Sequence, residues 1–133
     1  MIKRKTILEA LGYTPEKEQE ILQNAKKSLE TSRQIVEGFR NRVMTLTLED
    51  FVNNPETVQV LREKIQQAEA KIIKIRREYS NNLDNFEEDS NAGDELDMLL
   101  IDIQEASSDL DELNDILEDL LEIGGRLRGD TES

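Results

Sequence analysis

Residues 94–123 read DELDMLLIDIQEASSDLDELNDILEDLLEI, and this stretch decides the fold. Leu96, Leu99, Ile103, Ala106, Leu110, Leu113, Leu117 and Leu120 recur in alternating steps of three and four. That is the seven-residue repeat of a coiled coil, in which the first and fourth positions (a and d) form an apolar seam. Most positions off the seam are Asp, Glu or another polar residue, so the helix reads as narrow-seamed and acidic.

Two further segments carry the same pattern. The first runs Leu22, Ala25, Leu29, Ser32, Val36, Phe39, Val43, Leu46. The second runs Val58, Leu61, Ile65, Ala68, Ile72, Ile75, Tyr79, Asn82, Phe86. Only Ser32 and Asn82 interrupt these seams, and an amide at Asn82 has the chemistry of a register-fixing residue. A seam sustained over about four heptads argues against disorder, which the composition alone would permit.

The breaks between segments have chemical causes. Thr14-Pro15-Glu16 places a capping hydroxyl before a proline whose missing N–H is harmless in a first turn. Asn54-Pro55-Glu56 repeats the arrangement, and Thr47 with Asp50 predicts a short helical turn ending near Asn53. Gly93 breaks the chain before the third helix, and Gly124-Gly125 reads as a stop. Thr6 and Glu9 form a capping box for a short leading helix, closed by Gly12.

The expected fold is all-α: an antiparallel three-helix coiled-coil-like bundle with a short N-terminal helix. Residues 1–13 are assigned to that helix, which offers Ile7, Leu8, Leu11 and Tyr13 to plug one end. Residues 14–125 form the bundle, with helices at about 15–46, 55–88 and 94–123, and 126–133 form a flexible tail. Each long helix of about 30 residues spans about 45 Å, and short connections make neighbours antiparallel.

Flanking charges bear on which helices lie side by side. Lys64 and Lys71 on the second helix match Glu95, Asp102 and Asp109 on the third. Lys26, Arg33 and Arg40 on the first helix face those same acids if the packing has the other hand. Apolar positions that widen the seams are few: Ile21, Ile35, Leu83, Leu100, Ile116 and Leu121. So narrow a seam also suits a homodimer, which stands beside the closed bundle as an expectation.

Composition narrows the function classes. The 133 residues hold no Cys, no His and no Trp, 35% are charged, and the net charge is −13. From residue 84 to the end, 18 acids face only Arg126 and Arg128, so the acidity belongs to the last third. Without His or Cys the commonest general base, the thiol nucleophile and the usual zinc ligands are missing. No glycine-rich loop precedes a helix to cradle phosphate. The chain is therefore read as not an enzyme, with no cofactor and no metal site.

Several weaker signals are weighed against this. Asp94/Asp97, Asp102/Glu105, Glu112/Asp115 and Asp119/Glu122 have the spacing of Mg²⁺-binding acids in all-helical nucleotide pyrophosphohydrolases, but they fall mostly outside the seam. The basic run from Lys71 to Arg77 has Ile72 and Ile75 in the seam, and the acidic chain disfavours direct contact with nucleic acid. Arg128-Gly129-Asp130 matches an integrin-recognition tripeptide by chance. No run is apolar enough for a signal peptide or a membrane span. A cytoplasmic setting, or a virion interior for a phage-encoded chain, is expected.

The expected function is that of a non-catalytic helical interaction protein: an adaptor, scaffold or assembly factor. Its partner is a protein with a basic surface, met by the seam or by the third helix. The candidate contact residues are Asp97, Asp111, Glu112, Asp115, Glu118, Asp119 and Glu122. Two alternatives carry different chemistry. One is an acidic mimic of nucleic acid that inhibits a DNA-binding protein. The other is the Mg²⁺-dependent pyrophosphohydrolase.

Overall fold

The computed structural model describes Ala10, residues 14–86 and residues 91–129. These residues form an all-α bundle of four helices, without a strand among them: α1 (Pro15–Met44), α2 (Leu48–Asn53), α3 (Pro55–Leu83) and α4 (Asn91–Arg128). The leading helix expected over 1–13 lies outside the described residues, except for the helical Ala10.

Local chemistry sets the helix ends. The Thr14 hydroxyl accepts from the Lys17 amide at 3.2 Å, capping α1 ahead of Pro15. Thr47 and Asp50 cap α2 reciprocally, each side chain accepting from the other's backbone N–H. Asn54 departs from expectation, because its side chain makes no capping bond to α3. Its backbone N–H instead donates to the Asp50 carbonyl, closing α2, and its φ of −128° with ψ of 49° is not the extended geometry an N-cap uses.

The seams are buried. Leu22, Ile65, Ile72, Leu96, Ile103, Leu110, Leu117, Val58 and Ser32 are almost wholly covered. Each large apolar side chain so buried is worth about 1.5–3 kcal/mol. Ser32 is accommodated because its hydroxyl donates to the Ser28 carbonyl one turn back at 2.8 Å. Phe86 is core, while Tyr79 is half-buried with its hydroxyl 3.2 Å from the Ser28 hydroxyl.

Two apolar clusters divide the bundle lengthwise. One joins Ile21, Leu22 and Ala25 to Phe86, Ala92 and Leu96. The other joins Val36, Phe51, Val58 and Leu61 to Leu110, Leu113 and Leu117. Along the bundle α4 touches every other helix, whereas α1 and α3 meet only lightly. That central place explains why Leu100, Ser107 and Asn114, one position beyond the d seam, are also buried on α4.

The acids along one edge of α4 take their partners from α1. Lys26 pairs with Glu95 at 3.8 Å, Arg33 with Asp102 at 3.6 Å and Arg40 with Asp109 at 3.9 Å. The pairs climb both helices together in seven-residue steps, so α1 and α4 run side by side in the same sense. Lys64 and Lys71 of α3, matched to the same acids by charge, make none of these contacts and stay exposed.

Four helix boundaries differ from those expected. Helix α1 stops at Met44, not 46, and α3 at Leu83, with residues 87 and 88 outside the described region. The last helix begins at Asn91 and runs through Gly124-Gly125 to Arg128. Gly124 does not end it because the glycine serves packing: it is buried under Phe51 of α2, and a Cβ there would lie 2.8 Å from the Phe51 carbonyl carbon. Residues 126–128 are therefore not tail. Arg128 donates to the Phe51 and Val52 carbonyls at 3.2 and 2.7 Å, and Gly129, at φ 80°, follows the helix end. Residues 130–133 lie outside the described region.

Candidate protein-interaction face

The α4 acids outside the seam meet water. Asp97, Asp111, Glu112, Asp115, Glu118, Asp119 and Glu122 are all exposed. Six of them fall within residues 111–122, about 17 Å of helix, while Asp97 stands about 21 Å before Asp111. The structure thus gathers six of the seven candidates and leaves Asp97 apart.

Their electrostatic states differ. Glu118 accepts from Arg62 of α3 at 3.4 Å, and Glu122 from Arg126 one turn on at 2.6 Å. Among the described residues, Asp111 and Asp115 have no such cation and instead confront Glu69 of α3. Partial burial raises the Glu69 carboxyl above its ordinary range, and repulsion from Asp111 and Asp115 adds to the rise. Glu69 was not among the residues singled out from the sequence, although its place beside the d seam could have marked it as facing α4.

Below this face lies a buried polar contact that ties α3 to α4. Arg62, with a side chain 18% exposed, donates through Nε to the buried Asn114 Oδ1 at 3.0 Å. It also donates to Gln59 at 3.2 Å. Asn82, assigned the register role from its seam position, is only half-buried near the end of α3. Asn114 is the buried amide.

Among the described residues, no group of three or more acids is placed to hold a metal ion. The paired acids considered for Mg²⁺ lie along one helix, and Asp102 is already engaged by Arg33. The cleft between α1 and α4 is lined by Arg33 and Arg40, which pair with Asp102 and Asp109 across it, and by the further acids Glu37 and Glu105. No described helix is long and apolar enough to cross a membrane. Comparison with protein-family models, curated proteins and solved structures finds no match.

Proposed function

We propose that this chain is a non-catalytic helical interaction protein, an adaptor or assembly factor, whose acidic α4 face receives a basic protein. The long helices are read as an antiparallel three-helix coiled coil closed within one chain, with α4 in contact with both of the others. One observation carries the functional reading: the apolar seam is largely covered within the chain while Asp111, Glu112, Asp115 and Asp119 remain exposed, with no ion pair to another described residue. Burial raises the Glu69 carboxyl first, and the repulsion from Asp111 and Asp115 that adds to the rise costs stability. A basic partner would relieve that cost and be steered to the face by its field.

The test compares the chain with a variant carrying Asp111→Lys, Asp115→Lys and Glu118→Lys. Both are immobilised and exposed at low salt to a lysate of their own source, and retained proteins are identified by mass. A basic protein held by the native chain and lost from the variant is expected. Retention of nothing, or of the same set by both, sinks the proposal. Release of the retained protein by DNA would identify the face as a nucleic-acid mimic.

A further inference from the structure

We infer that the C-terminal third of α4 carries a second seam, and that its occupant is the same segment of another copy of this chain, laid antiparallel. Glu95, Asp102 and Asp109, which α1 covers with basic residues, form a seven-residue series along one edge of α4. The next two members of that series are Ile116 and Ile123. One more step of the ion-pair register sets Thr47 against Ile116, but α1 has already ended at Met44. The edge continues without its covering helix, and there it turns from acidic to apolar.

Ile116 is 42% exposed, Ile123 44% and Leu127 60%, with Leu120 half-buried between them. The four are spaced four, three and four residues apart, within an arc of about 60° at ~100° per residue. This is a coiled-coil stripe along the flank of the internal seam of Leu110, Leu113 and Leu117, and it shares Leu120 with that seam. Isolated exposed apolar residues need no explanation, but three in heptad register beside a half-buried fourth do.

Charge selects the occupant and its direction. Asp119 and Arg126 flank the stripe on the same side, one heptad apart. In an antiparallel two-fold pair, Ile116 meets Leu127 of the second copy and Leu120 meets its Ile123. Asp119 then faces Arg126 of the second copy, and the symmetry forms this contact twice. Arg126 needs only to turn from Glu122 of its own helix, 2.6 Å away. A parallel pair would set Asp119 against Gly124 and form no such bond. The acids at 111, 115, 118 and 122 lie off the stripe, and Asp119 is common to this interface and the proposed partner face.

The test is molar mass by light scattering on the full chain over a concentration series. Approach to twice the 15.3 kDa of one chain is expected. Replacing Ile116→Ser with Ile123→Ser should return it to one chain while helix content, read by circular dichroism, stays unchanged. Asp119→Arg or Arg126→Asp alone should weaken the dimer about tenfold, and the two together should restore it. A single-chain mass at every concentration overturns the inference, as does a dimer that survives the serine replacements. A dimer lost with the serines but indifferent to the charge exchange overturns the antiparallel arrangement.

Discussion

Gly124 of α4 lies against the Phe51 carbonyl of α2, in contact too close for any side chain. Its role is thus opposite to that of Gly38, which has no neighbour within 4 Å of a Cβ, and of Gly125, whose nearest is Arg128 at 3.7 Å. All three sit inside helices, where glycine costs roughly 0.5–1 kcal/mol against alanine. Gly38→Ala and Gly125→Ala should each recover about that much in urea unfolding. Gly124→Ala should lose about 1–3 kcal/mol, because α2 must move off the helix. Equal stabilisation by all three would show that the α2–α4 contact does not form.

Arg62 and Asn114 form the polar fastening between α3 and α4, and both are largely covered. Asn114→Ala strips the Arg62 Nε of its acceptor, and an unsatisfied donor of this kind costs about 1–3 kcal/mol. Replacing both residues with leucine removes donor and acceptor together and should cost much less. A double-mutant cycle should therefore return a coupling of about 0.5–3 kcal/mol. Strict additivity would mean that the bond contributes nothing in solution.

The seams were legible because seven-residue periodicity survives in the residues themselves: Leu22, Ile65, Ile103 and Leu110 are core as their positions require. Neighbour relations were less legible. Charge alone gave Glu95, Asp102 and Asp109 two sets of partners, and only the packing selects Lys26, Arg33 and Arg40. Gly124-Gly125 misled because a glycine that ends a helix and one that admits a neighbouring backbone look alike in sequence. The acidic face was visible residue by residue. Its crowding was not, because Glu69 comes to Asp111 and Asp115 through a contact between helices.

Glu69 makes stability depend on pH in a definite direction. Its folded carboxyl is raised, first by burial and then by Asp111 and Asp115, so the folded chain holds the proton more tightly than the unfolded one. Stability from this group is greatest below the unfolded carboxylate range and falls as pH rises through the raised folded value. Glu69→Gln should remove that dependence and raise the melting temperature at neutral pH relative to acid. Parallel pH profiles for the native chain and the variant would rule out the crowding.

Asp111 and Asp115 offer the sharpest link between stability and the proposed role. They repel Glu69, are exposed, and meet no described cation. Asp111→Asn with Asp115→Asn should therefore stabilise the chain and lower the Glu69 pKa toward its ordinary range, observable by carboxyl NMR titration. If these acids serve a basic partner, the same variant should bind it more weakly, and its affinity should fall less steeply with salt. Stabilisation with unchanged binding would confine the interaction to other residues and leave this part of α4 as a solvated face. Opposed changes in stability and affinity would mean that the repulsion is retained for the encounter.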